Sequence, residues 1–115
     1  MSKIITDICV IGGGSAGLSV ASGAAQLGAK VVLLEGHKMG GDCLNYGCIP
    51  SKALIAAGKH AHAMTVGKPF GIMPAKPIID FEKVKEHVKN VIQGIEPHDS
   101  IERFKSLGVN VIAEY

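Results

Sequence analysis

Two cysteines five positions apart, Cys43 and Cys48, stand in the stretch GGDCLNYGCIPSKALI at residues 40–55. Such a pair can be a structural staple, two metal ligands, or a redox couple that opens and closes. The amino terminus, MSKIITDICVIGGG, is too short and too interrupted for a signal peptide or a membrane span. That predicts a cytoplasmic setting, where a lasting disulfide is disfavoured. Three cysteines in all also leave at least one unpaired. As zinc ligands the pair would need two more partners, and His37, His60, His62, His87 and His98 form no array that supplies them. His60 and His62, two apart on a predicted helix, point to different sides, so no metal is expected. A redox role has more behind it. The pair lies just before a helix predicted to start near Pro50 or Ser51, a helix N-terminus favours thiolates, and Lys52 adds positive charge. Gly40, Gly41 and Gly47 let backbone approach a large flat ligand. Cys43 and Cys48 are therefore read as a redox couple.

A second chemistry-bearing pattern precedes them. Gly12, Gly14 and Gly17 fit G-x-G-x-x-G, follow an apolar run, open a small-residue helix, and are followed 18 residues after Gly17 by Glu35. In that arrangement the first glycine makes the turn, the second admits a pyrophosphate, and the third packs helix on strand. The N–H groups at the helix start face the phosphates. Glu35 can accept hydrogen bonds from both ribose hydroxyls of an adenosine, and its charge repels a 2′-phosphate. The glycine motif alone does not separate FAD from NAD.

The elements that position these residues follow from pattern. Ile4–Ile11 reads as a buried parallel strand with Cys9 a small core residue, 15–27 as a helix stopped by Gly28, and 30–35 as a second buried strand. This is one βαβ unit. The cysteines then lie in a loop, 51–66 reads as a helix, and 67–77, with three prolines and two glycines, as an irregular connection. Asp80 can cap a further helix carrying Val84, Val88, Val91, Ile92 and Ile95 on one stripe, kinked at Pro97 and continued by Ile101, Phe104 and Leu107. Residues 109–113 read as a strand. The fold class is α/β, with a parallel sheet and flanking helices in an incomplete Rossmann-like domain. Apolar residues make up 47%, charged residues 19%, and the net charge is +2, so the chain should fold, and nothing points to nucleic acid or a membrane surface.

The stretch GGDCLNYGCIPSKAL resembles the active-site segment of the flavoprotein disulfide reductases, the group holding dihydrolipoamide dehydrogenase, glutathione reductase and mercuric reductase. The glycine turn, the acidic end of the second strand and the cysteine segment match in order and spacing. The segment IEPHDSIERFKSLGVNVI is similar to a mercuric-reductase-like or dihydrolipoamide-dehydrogenase-like subgroup. The resemblance implies FAD in this nucleotide fold, with NAD(P)H as co-substrate. Gly12, Gly14, Ser15, Ala16 and Gly17 would hold the pyrophosphate and Glu35 the ribose. Gly41 and Asp42 would lie along the FAD, and Lys52 near the flavin N5. Cys48 would be the thiol beside the flavin and Cys43 the interchange thiol that meets a small dithiol or disulfide substrate, or Hg(II).

Two departures from the pattern stand out. Asp42 replaces the threonine of better-known members, placing a negative charge beside phosphates. Family members are also several times longer. Residues 1–115 are thus expected to be the N-terminal part of an FAD-binding domain, without the NAD(P)H-binding and homodimer-forming domains, and inactive alone. His98 beside Asp99 does not match the family's acid–base histidine. The competing expectation is a non-catalytic nucleotide-binding βαβ module. Either way, an incomplete sheet leaves an open edge, which predicts a marginal, oligomeric or swapped isolated chain.

Overall fold

The structure is a computed structural model that describes residues 3–114. Three four-residue strands, β1 (Ile8–Ile11), β2 (Val31–Leu34) and β3 (Val109–Ile112), form a parallel sheet in the order β1-β2-β3. Ile8 pairs with Val31, and Val31 with Val109, so the strands are aligned without stagger. Helix α1 (Ser15–Gln26) makes the crossover from β1 to β2. A short helix α2 (Gly41–Asn45) and a longer α3 (Cys48–Ala63) carry the cysteine segment, and α4 (Phe81–Ile95) and α5 (Ile101–Ser106) lead to β3.

One face of the sheet is covered. Val10, Val31, Leu33, Val109 and Val111 project towards Leu18 and Ala21 of α1 and Phe104 of α5, forming the core. Each large apolar side chain taken out of water there contributes roughly 1.5–3 kcal/mol. By contrast, no residue of α4 is fully buried. The sheet with α1 and α5 is thus the better-anchored body. Helices α3 and α4 pack on each other as an arm, which gives the molecule its long axis of 68 Å against 27 and 18 Å.

On the opposite face of the sheet only Val32 of the central strand is fully buried, and this corrects two expectations. Cys9 is exposed rather than a core residue, because alternation sends it to the side that no helix covers. Ile11, also on that side, is 85% exposed. β1 is buried on one face only. It also starts later than the apolar run, at Ile8, with Ile4 and Ile5 exposed. The ladder stops where Asp7 and Lys30 close it: Asp7 N–H donates to the Lys30 carbonyl at 2.9 Å, and Lys30 N–H donates to Asp7 Oδ2 at 2.7 Å.

The helix boundaries have local causes. Asp80 caps α4, accepting from Lys83 N–H at 3.3 Å, and Ser100 caps α5, accepting from Arg103 N–H at 3.2 Å. Pro97 stands in the 3₁₀ turn Glu96–Asp99, which separates α4 from α5 as its missing N–H requires. α3 begins at Cys48 rather than Ser51, since Pro50 is tolerated within a first turn. α2 replaces the expected loop. Partial burial holds the Asp99 carboxyl above its usual range, against the opposing pull of His98. Such a group favours the neutral form in the fold, so its contribution to stability is present at low pH and lost as pH rises through its folded value. Asp99→Asn is expected to flatten the rise in urea midpoint between neutral pH and pH 4 that this residue produces, leaving the fold unchanged.

Candidate active site

The glycine turn follows β1 directly. Gly12 has a φ of +100°, a conformation open to glycine, and its N–H donates to the Leu34 carbonyl at 2.8 Å. A Cβ at Gly12 would meet nothing within 4 Å, so the turn leaves an open cradle in front of α1. Gly14 is the N-cap of α1 and brings no side-chain cap. The first helical bond runs from Leu18 N–H to the Gly14 carbonyl at 2.9 Å. The N–H groups of Ser15, Ala16 and Gly17 therefore come before the helix's own ladder begins, with no acceptor inside it. An open cradle, orphan donors and a helix dipole fit a diphosphate. Gly17 answers the third requirement, its Cα facing the Gly12 carbonyl and lying against Val10.

Glu35, just past β2, turns back onto this loop. Its Oε2 accepts from Gly13 N–H at 2.5 Å and its Oε1 from His37 N–H at 2.7 Å. Gly40 N–H donates to the Gly13 carbonyl at 2.8 Å. The stretch that carries the cysteines is thereby tied to the glycine turn.

Two consecutive left-handed glycines, Gly40 at φ +85° and Gly41 at +57°, turn the chain into α2. Leu44 fills the space beside Gly40 and is buried. A Cβ at Gly41 would stand 2.7 Å from the Gly14 Cα. Gly41→Ala therefore combines a left-handed strain of about 1–2 kcal/mol with a backbone clash. The expected outcome is a fall in urea midpoint, whereas Gly58→Ala, whose Cβ meets nothing within 4 Å in exposed α3, should show none.

Between the cysteines the chain reverses at Tyr46 and Gly47. A side chain at Gly47 would meet the Asp42 carbonyl at 3.0 Å and the Cys43 Cα at 3.6 Å. Glycine there lets the first turn of α3 lie against α2, which brings Cys48 back to Cys43. The two are free thiols, Cys43 half-buried and Cys48 exposed at the first position of α3. The neighbouring Cys48 side chain holds the Cys43 thiol above its ordinary range, with Lys52 pulling weakly the other way. The pair does not lie wholly before the helix as expected: Cys43 sits in α2, and only Cys48 stands at the start of α3. Alkylation of reduced Cys43 is expected to need a higher pH than alkylation of a free peptide thiol, and the Cys48→Ala variant should return it to the free-peptide value.

Asp42 lies exposed in the first turn of α2, and Lys52 is exposed one turn into α3. Glycine turn, Glu35, Gly41, Asp42 and the cysteine pair converge at one end of the sheet. His60, His62 and His98 lie apart from them on α3 and in the 3₁₀ turn. Among the described residues no cluster of three histidine, cysteine or acidic side chains is placed to hold a metal, and no helix is long and apolar enough to cross a membrane. Sequence reasoning passed over Gly13 and Asn45. Gly13 is buried against Glu35 and Met39, and the Asn45 side-chain amide donates to the Met39 and Gly41 carbonyls at 3.2 and 2.8 Å. The run of three glycines was the one available signal for the former.

Residues 6–111 match the family described as pyridine nucleotide-disulphide oxidoreductase. A dihydrolipoyl dehydrogenase of Bacillus subtilis (strain 168) is 46% identical over 89 residues, 77% of this chain and 19% of that protein. Dihydrolipoyl dehydrogenase 2 of Haloarcula marismortui is 39% identical over 111 residues, 93% of this chain and 22% of that protein. The chain thus spans about a fifth of the length of the curated relatives it matches. Among solved structures, the Cu(II) complex of the HOCl-induced flavoprotein disulfide reductase RclA from Escherichia coli superposes with a TM-score of 0.68 at 24% identity, over 90% of this chain and 21% of that one. That likeness concerns the fold.

Proposed function

The chain belongs to the pyridine nucleotide-disulphide oxidoreductase family, and from that premise we propose that it is the N-terminal FAD-binding and redox-disulfide segment of an NAD(P)H-linked, dihydrolipoyl-dehydrogenase-like enzyme. The observation that carries the reading is the Cys43–Cys48 pair, brought together across Gly47 and tied to an open glycine turn. Opening a disulfide between them takes up two electrons and two protons, and closing it releases them. The flavin, when bound, supplies the exchange of those electrons with a nicotinamide.

In this reading the N–H groups of Ser15, Ala16 and Gly17, with Gly12 and Gly14 clearing the space, hold the diphosphate. Glu35 takes the ribose hydroxyls on lone pairs that its backbone donors leave free. Gly41 and Asp42 border the cofactor through their backbone, since the Asp42 carboxylate would repel phosphate. Lys52 lies on the cysteine side, where a cation favours negative charge on flavin or thiolate. Cys48, at the helix terminus, is the flavin-side thiol and Cys43 the one that exchanges with substrate. The relatives favour a small dithiol or disulfide substrate and lend no support to Hg(II). A homodimer and a cytoplasmic location belong to the same proposal, as do the NAD(P)H-binding and interface domains of a longer protein.

The test is an anaerobic titration of the whole protein with NADH or NADPH, followed by visible absorbance. Bound flavin with a long-wavelength band at two-electron reduction, lost in Cys48→Ser, is the expected result. Flavin that bleaches with no such band would separate the cysteines from it. Absence of flavin would leave a nucleotide-binding βαβ module instead.

A further inference from the structure

The Glu35 carboxylate is engaged beyond what a nucleotide needs. One oxygen accepts from Gly13 N–H and the other from His37 N–H, while the Gly13 carbonyl accepts from Gly40 N–H at 2.8 Å. Both polar groups of residue 13 are thus occupied, one by the end of β2 and one by the residue that turns the chain into α2. Gly13 itself is buried, and a Cβ there would stand 3.0 Å from Glu35 Oε2 and 3.0 Å from Met39 Sδ. From Gly40 the connection is short and stiff. Gly41 lies on Gly14, Leu44 is buried beside Gly40, and Asn45 donates back to the Met39 and Gly41 carbonyls. Cys43 stands inside this knot, and Gly47 presses the start of α3 onto the same turn of backbone.

We propose that Glu35 is a positioning residue for the Cys43–Cys48 pair: its carboxylate locks the Gly13 peptide to the 36–40 loop and so holds the thiols in register with the nucleotide turn. The inference rests on the reading of the cysteines as the redox couple, yet it gives Glu35 a task that no ribose contact requires. Hydrogen bonds to a charged carboxylate are among the stronger ones, and leaving the donor of buried Gly13 without its partner is costly, while the exposed His37 N–H can turn to water. A carboxylate oxygen keeps a second lone pair, so ribose binding adds to this role without displacing it.

The test uses the whole protein, reduced with a phosphine, in wild-type, Glu35→Gln and Gly13→Ala forms. Two quantities are read: FAD affinity, and the pH profile of Cys43 alkylation by iodoacetamide, resolved by peptide mass, with FAD saturating and with FAD stripped. The groups that set that profile are Cys48 and Lys52. Glu35→Gln is expected to weaken FAD about tenfold or more. In both FAD states it should also move the Cys43 profile towards that of a free thiol, as the contact with Cys48 loosens. Gly13→Ala, with the carboxylate intact, should move the profile in the same direction. An unchanged Cys43 profile in both variants, with FAD affinity lowered, would overturn the positioning role and leave the flavoprotein reading standing. A profile that moves in both variants, in a protein whose wild type binds no FAD, would support the positioning role and sink the flavoprotein reading. If Glu35→Gln does not fold, Glu35→Asp, which keeps the charge but shortens its reach, decides by the same two readouts.

Discussion

Gly17→Ala is expected to lower the urea midpoint more than any other single change at the glycine turn. The added Cβ would enter the Gly12 carbonyl oxygen and stand 3.1 Å from the Gly12 carbonyl carbon and 3.2 Å from Val10 Cγ1. Two of those atoms are backbone in the tightest part of the turn, so no side chain can swing aside. Relief requires α1 to lift from β1, which strips Leu18 and Ala21 from the core. Overpacking of well-packed sites costs about 1–3 kcal/mol, and a clash onto backbone belongs at or above the top of that range. Against a total stability of roughly 5–15 kcal/mol, that is a large share. Gly23→Ala is the matched control: it lies in the same helix with nothing within 4 Å of its Cβ. There alanine should raise stability by about 0.5–1 kcal/mol, because glycine is the poorer helix former. Urea unfolding of the two variants beside wild type checks both signs. A Gly17→Ala midpoint equal to wild type would mean that α1 does not approach β1 as closely as the structure has it.

Replacing either cysteine should do the reverse, sparing the fold and removing the chemistry. Cys48 is exposed and Cys43 half-buried, so Cys48→Ser and Cys43→Ser are each expected within about 0.5 kcal/mol of wild type in stability. A serine hydroxyl forms no disulfide, so under the proposed function the NAD(P)H-linked turnover of a dithiol or disulfide substrate by the whole protein should fall on the order of a thousandfold or more in each. The two should differ in spectrum: Cys43→Ser keeps a thiol at position 48 and therefore a long-wavelength flavin band, and Cys48→Ser does not. Steady-state turnover and absorbance of the purified variants measure both effects. Turnover within tenfold of wild type in either would exclude the pair as the route of electrons.

Much of this architecture was legible because it depends on short-range rules. The spacing of Gly12, Gly14 and Gly17 between an apolar run and a small-residue helix marks a strand–turn–helix wherever it occurs, and α1 starts at Ser15 as that pattern requires. Asp80 announced α4 for the same reason, since a cap acts within one turn. What escaped reading depends on partners far along the chain. Helix α2 has five residues including a glycine, too few to show periodicity, and owes its shape to the packing of Leu44 and the contact with Gly14. Cys9 sits in a run that reads as core, but burial needs a second layer of structure, which the residues of that strand do not encode. The use of Gly13 arises from Glu35, 22 positions away. Nothing near residue 13 records it.

The contact of Gly41 on Gly14 bears on how such a site can change over time. Neither position has a side chain to trade against the other, so no compensating pair of substitutions is open to them: enlarging one cannot be answered by shrinking its neighbour. Contacts between large residues betray themselves in related sequences by drifting together. Gly41 can only stay fixed, since its Cβ would stand 2.7 Å from the Gly14 Cα, and a fixed column shares no information with any other. The junction between the nucleotide turn and the thiol helix would thus be silent in any statistics of paired substitution, and only coordinates or deliberate mutation can bring it to light.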